Sequence, residues 1–222
     1  DFLVVAEVAE PEAAATNCEN AFMTMQPGAR WEYEETIGRE YPSRWVYRVD
    51  TWTVDADGNV DVPLVVERLT GVEGNVDRVT FLELECVQNV IYIIEAVQRE
   101  GQLESTTEYE PGTVYLPESI LEGTSWQRRG SLEMRGPDRS ESYTITETLT
   151  CVAHERISVR AGEFDAYKVE FTIEGMPSAE GEPLSHRGAS WYVPGIGRVL
   201  SIGESDDAPR LELLSYEGVE PG

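Results

Sequence analysis

A short acidic segment holds the most regularly spaced metal-ligand side chains in the sequence. Its side-chain oxygens recur at Asp55, Asp57, Asn59 and Asp61, and oxygen ligands at alternate positions are typical of calcium-binding loops. The segment departs from an EF-hand, since Val60 stands where the loop requires glycine and no glutamate follows at the twelfth position. The alternative is a hairpin turn, which Asp-Gly-Asn explains without a metal. Calcium is therefore a secondary expectation, and no other cofactor is expected.

Three cysteines allow one disulfide bond within the chain. A bond between Cys18 and Cys86 would close a loop of about 68 residues and stabilise the fold by roughly 4 kcal/mol in the chain-entropy model. It would fix the start of the compact region to the sheet and leave Cys151 unpaired. The alternative is three buried thiols that pack as small apolar side chains. No pair has the C-x-x-C spacing of a zinc or redox site.

Motifs of the common enzyme classes are missing from the sequence. The two histidines, His154 and His186, are too few for most metal or acid–base sites. We find no G-x-S-x-G elbow, no P-loop and no G-x-G-x-x-G. With 42 acidic residues, carboxylate pairs occur at every spacing and say little about glycosidase chemistry. We therefore expect a non-enzymatic protein, with a hydrolase built on acidic residues as the remaining alternative.

The charge balance restricts both partners and compartment. The formal net charge is -25, with 17 basic residues, which argues against nucleic acid or an anionic membrane surface as a partner. No apolar run approaches the roughly 18 residues of a membrane-spanning helix. The sequence starts at Asp1 without a basic segment, as expected of a processed, exported protein. Together with the cysteines, this predicts an extracytoplasmic location in the periplasm, at the cell surface or outside the cell.

The elements that position these residues are predicted to be β-strands. Apolar and polar residues alternate along several runs, which indicates strands with one face in a core. Gly- and Pro-rich turns separate these runs, as in consecutive antiparallel hairpins. One short helix is expected at residues 117–122, where Pro117 begins a turn and Gly123 ends it. The runs are 45–50, 143–150 and 167–173, among others.

The chain divides into two parts by composition. Residues 1–17 contain an acidic Ala- and Pro-rich stretch and are expected to form an arm or linker. The apolar residues 2–5 within it need burial, so the arm could dock on a neighbouring sheet edge and mediate self-assembly or binding of a protein partner. Residues 18–222 are expected to form a single antiparallel β domain.

Three short stretches resemble a group of uncharacterised exported bacterial β proteins. They are Phe22–Tyr33 (FMTMQPGARWEY), Glu155–Val169 (ERISVRAGEFDAYKV) and Trp191–Val199 (WYVPGIGRV). The resemblance implies a fold similar to that of the lipoprotein carriers, an all-β curved antiparallel sheet that closes partway into a half-barrel. We expect about ten strands and the one short helix. These motifs consist of turns and aromatic anchors, so the resemblance implies a shape and no activity.

Two functions are consistent with this interpretation of the sequence. The first is an exported structural or accessory protein, for example a subunit of a cell-surface or envelope assembly. The second is a binding module that holds a hydrophobic, lipid-like ligand in the half-barrel, although aromatic side chains could equally fill its core. The candidate residues for lining such a cavity are Trp45, Tyr47, Trp52, Tyr92, Phe171 and Trp191.

Overall fold

The structure, a computed structural model, describes residues 18–37, 42–70, 74–137, 140–205 and 208–219. The predicted arm, residues 1–17, lies outside the described residues. The described residues form fourteen β-strands and no helix. The strands are β1 (Arg30–Ile37), β2 (Ser43–Val49), β3 (Thr53–Val54), β4 (Val60–Thr70), β5 (Asn75–Val87), β6 (Val90–Glu100), β7 (Leu103–Tyr109), β8 (Val114–Leu116), β9 (Ser125–Arg135), β10 (Ser140–Val159), β11 (Gly162–Pro177), β12 (Leu184–Val193), β13 (Gly197–Gly203) and β14 (Pro209–Glu217).

Twelve of these strands close into a barrel. The sheet order is β2-β1-β14-β13-β12-β11-β10-β9-β7-β6-β5-β4, and β2 also pairs with β4, which joins the two ends. Strands β3 and β8 lie beside this ring, paired with β4 and β6. Every pairing is antiparallel, which confirms the all-β antiparallel class. The half-barrel of about ten strands is wrong, because β2 completes the ring and leaves it no open edge.

The predicted helix at residues 117–122 is also wrong. These residues lie in the connection from β8 to β9 without helical structure. The Ile120 side chain is fully buried, and the Pro117 carbonyl accepts a hydrogen bond from Asn20. Six residues are too few for a stable helix without tertiary support, so these contacts decide the local conformation. In the part of the chain that the structure describes, no helix is long and apolar enough to cross a membrane.

Alternation along the strands gives the barrel an apolar interior at one end. In β4, Val60, Val62 and Leu64 are buried, whereas Asp61 and Pro63 between them are exposed. The equivalent inward positions of the other strands continue this core. Its largest fully buried side chains are Trp31, Met25, Leu64, Leu84, Ile91, Leu116, Ile120, Ile196, Leu213, Val62, Val169 and Val199.

Residues 18–29, which we call the N-terminal plug, lie across this apolar end. The Asn20 side-chain amide donates to the carbonyls of Asn89 and Pro117. On the other side of the ring, the Gly195 amide donates to the Ala21 carbonyl. The plug therefore connects the β5–β6 turn, the β8–β9 connection and the β12–β13 turn.

A disulfide bond fixes the plug to the wall. Cys18 and Cys86 are bonded, with their Cα atoms 5.8 Å apart, which is the pairing considered from the sequence. Cys151 is a free, buried thiol. The bond attaches the start of the plug to the C-terminal end of β5. The plug is therefore held both covalently and by the hydrogen bonds of Asn20.

Candidate functional site

Beyond the apolar end, the barrel interior contains a group of tyrosine, arginine and glutamate side chains. Several of their contacts and electrostatic interactions join strands that are not neighbours in the sheet, so these run through the interior of the ring rather than along its wall. We call this group the interior cluster. Its members are Tyr33, Tyr47, Tyr109, Tyr115, Arg128, Glu147, Tyr192 and Arg198.

Arg198 makes the contacts that reach furthest across the interior. Its Nη2 donates a hydrogen bond of 2.8 Å to the Tyr47 hydroxyl, although β1 and β14 separate β2 from β13 in the sheet. The guanidinium lies 5.8 Å from the ring centroid of Tyr33 and 5.6 Å from that of Tyr47. The Tyr33 hydroxyl donates to the Arg198 carbonyl at 2.8 Å. These contacts hold the cation against two aromatic faces.

Arg128 lies on the opposite part of the wall and has a different environment. Its Nη1 is 2.8 Å from a carboxylate oxygen of Glu147, the residue directly opposite it on β10. Its Nη2 donates to the Tyr115 carbonyl, and its guanidinium lies 4.6 Å from the Tyr115 ring centroid. Arg128 is thus neutralised by a partly buried acid, whereas the contacts of Arg198 are with neutral groups.

Four tyrosines of the cluster remain hydrogen-bond donors. Burial raises the pKa of Tyr33, Tyr47 and Tyr192 above its ordinary value, and it raises the pKa of Tyr109 to about 12. Burial has this effect because it penalises the phenolate more than the neutral phenol. Their hydroxyls therefore stay protonated across the physiological pH range.

Part of the cluster borders accessible space. Tyr47, Tyr115, Tyr192 and Arg198 are only half-buried, although they point into a closed ring. A fully packed interior would leave these side chains no accessible surface. These side chains therefore border space that water can reach.

Charged residues further along the interior, away from the plug, neutralise one another. Arg68 is bound by Asp77 at 2.8 Å and by Glu100 at 2.7 Å, and Arg78 is bound by the same Glu100. Both guanidinium groups also lie within 6 Å of the ring centroid of Trp45. The Arg68 hydrogen bonds hold the pKa of Asp77 below its usual value.

Three of the six predicted cavity residues belong to the inner face. Trp45 is buried, and its Nε1 donates to Glu35 at 2.9 Å. Tyr47 is part of the interior cluster. Phe171 shares the face of the fully buried Val169, two positions away on β11.

The other three are placed differently. Tyr92 stands between Ile91 and Ile93, which are both buried, so its side chain lies on the opposite face of β6. Trp191 likewise lies on the outer face, where its Nε1 donates to Glu155 at 2.7 Å and Lys168 lies 5.6 Å from its ring centroid. Trp52 lies in the β2–β3 connection and packs against the core.

The acidic segment forms a hairpin turn between β3 and β4. The Asp55 carboxylate accepts hydrogen bonds from the amides of Asp57 and Asn59 and from the Asn59 side chain, at 2.8 to 2.9 Å. Asp61 accepts from the Thr53 hydroxyl instead. The Asp55 carboxylate oxygens are therefore already engaged in hydrogen bonds within the turn. Among the residues described, no group of three or more His, Cys, Asp or Glu side chains could hold a metal ion.

Most residues of the interior cluster were not predicted from the sequence. Arg128 follows Trp126 by two positions and therefore shares its inward face, and Arg198 lies on the inner face within the G-R-V-L run. A charged residue in phase with buried aromatic residues is the signal that could have identified both. Tyr115, Glu147 and Tyr192 carry no such signal, since half-buried strands accept polar residues on either face.

Comparisons with known proteins agree on the fold. No protein-family model and no curated protein sequence matches the chain. A candidate exported protein with a YmcC-like fold from Bacteroides fragilis NCTC 9343 superposes with a TM-score of 0.58 at 14% identity, covering 89% of this chain and 99% of its own. A candidate lipoprotein from Parabacteroides distasonis ATCC 8503 gives 0.60 at 15%, covering 90% and 100%. At these identities the likeness concerns the fold, and it does not extend to the lipoprotein-carrier half-barrel.

Proposed function

We propose that this chain is an exported, non-enzymatic accessory protein that binds a small ligand inside its barrel. The observation that carries the proposal is the partly exposed polar and aromatic surface of the interior cluster within a closed ring. Binding pockets typically combine aromatic walls with a few convergent polar groups. Tyr47, Tyr192 and Arg198 supply both.

Two findings support export. The disulfide between Cys18 and Cys86 fits an oxidising compartment, since such bonds are rare in the cytosol. The two similar structures are described as a candidate exported protein and a candidate lipoprotein. A role as a subunit of an envelope assembly, mediated by the N-terminal arm, stays a prediction because the arm lies outside the described residues.

The environment of the acid–base groups supports a binding role over catalysis. Glu147, the acid of the interior cluster, is bound by Arg128. His154 stacks on Tyr167 with ring centroids 4.4 Å apart, and His186 lies against Phe171. These groups are engaged with neighbours rather than directed together at one point, as general acid–base catalysis requires.

Tryptophan fluorescence tests binding inside the barrel, because Trp45 and Trp191 report on opposite faces of the wall. Native mass spectrometry of gently purified protein first reveals any retained small molecule. Titration with octanol, a neutral amphiphile, is then expected to change the emission of the wild type and of Trp191→Phe. In Trp45→Phe the change should be smaller, because Trp126, which shares the inward face of Arg128, still reports. A signal that depends on Trp191 instead, or none together with a ligand-free mass, contradicts the proposal.

A further inference from the structure

Arg198 differs from the other buried or partly buried arginines that the structure describes near the barrel interior. Arg68, Arg78 and Arg128 each lie within ion-pair distance of a carboxylate. Arg198 has no carboxylate within that distance among the described residues. In a chain with 42 acidic and 17 basic residues, acids to pair with it are abundant. Arg198 therefore lacks a partner although the arginines around it in the same barrel have one.

An unpaired cation in this environment is energetically unfavourable. The Arg198 contacts are the Tyr47 hydroxyl and the faces of the Tyr33 and Tyr47 rings, which carry no formal charge. Its Nε is buried without a hydrogen-bond partner among the described residues. Removing a charge from water is costly unless an opposite charge and hydrogen bonds replace the lost hydration. An anion bound at Arg198 would supply both.

Neutral hydroxyl donors lie near the same guanidinium group. The Tyr47 hydroxyl accepts the proton of Arg198 Nη2, so its own proton is available to another acceptor. Tyr115 and Tyr192 interact electrostatically with Arg198, and no acceptor for their hydroxyls is found within the described residues. One guanidinium with several phenol hydroxyls is a donor set suited to an oxyanion.

We propose that the interior cluster binds the oxyanion of a small organic acid, a carboxylate or a phosphate, at Arg198. The inference rests on the proposed function, because it names the ligand class of the same interior site. The aromatic rings beside Arg198 would contact the apolar part of the ligand. Arg128 does not compete for the anion, since Glu147 already neutralises it.

Three probes of equal chain length test this inference on the full chain: octanoate, octyl phosphate and octanol. Isothermal titration is expected to show at least tenfold tighter binding of one or both anions than of octanol. The preferred anion identifies the headgroup. Arg198→Met should reduce anion affinity to the octanol level, and Arg198→Lys should retain part of the preference. Arg187→Met, which removes an exposed arginine, should change nothing.

The outcomes separate the two proposals. Equal affinity for the anions and octanol, or full anion affinity in Arg198→Met, overturns the inference and leaves interior binding standing. Binding of none of the three probes overturns both. Circular dichroism checks that each variant is folded. If Arg198→Met does not fold, the comparison of charged with neutral probes in the wild type and Arg198→Lys decides.

Discussion

Arg128 and Arg198 are two cations in the same barrel interior, but they have different partners. Both have a buried Nε without a partner among the described residues, and both lie beside tyrosine rings. Only Arg128 faces an acid from the adjacent strand. The pairing of β9 with β10 places Glu147 directly opposite Arg128. The difference therefore comes from strand register, and it assigns a structural role to Arg128 and a binding role to Arg198.

Arg128→Met is expected to lower the free energy of unfolding by roughly 3 kcal/mol, because it leaves the Glu147 carboxylate partly buried without its cation. Chemical denaturation monitored by circular dichroism measures this loss. The double variant Arg128→Met, Glu147→Gln should recover part of it, since the remaining side chain is neutral. A single variant as stable as the wild type would show that the pair contributes nothing.

Asp77 should make the free energy of unfolding depend on pH. Its folded-state pKa is lowered, chiefly by the Arg68 hydrogen bond, so its contribution is present above the unfolded-state pKa of about 4 and disappears as pH falls through the folded-state value. Asp77→Asn should therefore be less stable than the wild type at neutral pH, with a smaller difference below about pH 4. Denaturation midpoints across pH measure this. Glu118→Gln, at an exposed loop position, is the control, and a constant difference would contradict the assignment.

The N-terminal plug is the element whose attachment most affects the apolar end. Phe22 and Met25 are buried against the core, and Asn20 satisfies backbone groups from two connections. Without the plug, the fully buried side chains at this end would face water. The disulfide keeps Cys18 bonded to Cys86 in the unfolded chain and so reduces the number of conformations open to it.

Replacing Cys18 and Cys86 together by alanine should lower the free energy of unfolding by roughly 4 kcal/mol, from the loss of the constraint on the unfolded chain. Denaturation of the oxidised wild type against the variant tests this. The wild type under reducing conditions should resemble the variant. Cys151→Ala keeps the disulfide and serves as the comparison, and equal midpoints for all three proteins would exclude a stabilising bond.

Strand β9 depends on the absence of a side chain at Gly130. A Cβ there would lie 2.3 Å from the Glu108 carbonyl oxygen on the neighbouring β7, too close for the strands to pair as they do. Gly130→Ala should therefore destabilise the protein by roughly 1 to 3 kcal/mol. Ser131→Ala, at the adjacent exposed position, should be near neutral. Thermal denaturation of both variants provides the measurement, and equal effects would contradict the steric argument.

At the scale of the whole molecule, closure of the barrel is combined with a large excess of negative charge. A formal charge of -25 on one chain is self-repulsive. Raising sodium chloride to about 0.5 M should therefore increase the melting temperature by screening. Choline chloride should act equally, which separates screening from specific sodium binding. A melting temperature that falls with both salts would show that ion pairs such as those of Arg68 outweigh the repulsion.

The sequence by itself determined the antiparallel β class and indicated the cysteine pairing. Alternation in runs such as Trp45, Tyr47 and Val49 identifies a strand and its inner face, because side chains point to opposite faces with a period of two residues. The Asp-Gly-Asn turn was equally readable, since its chemistry is local.

Only the tertiary structure decided that the sheet closes and which side chains meet inside it. Period two fixes the face of a strand but not its partner, so the pairing of β2 with β4 has no local signature. The approach of Arg198 to Tyr47 joins residues 151 positions apart. That contact depends on the curvature and register of the intervening strands. The unpaired charge inside the barrel therefore became recognisable only when all twelve strands were placed in the ring.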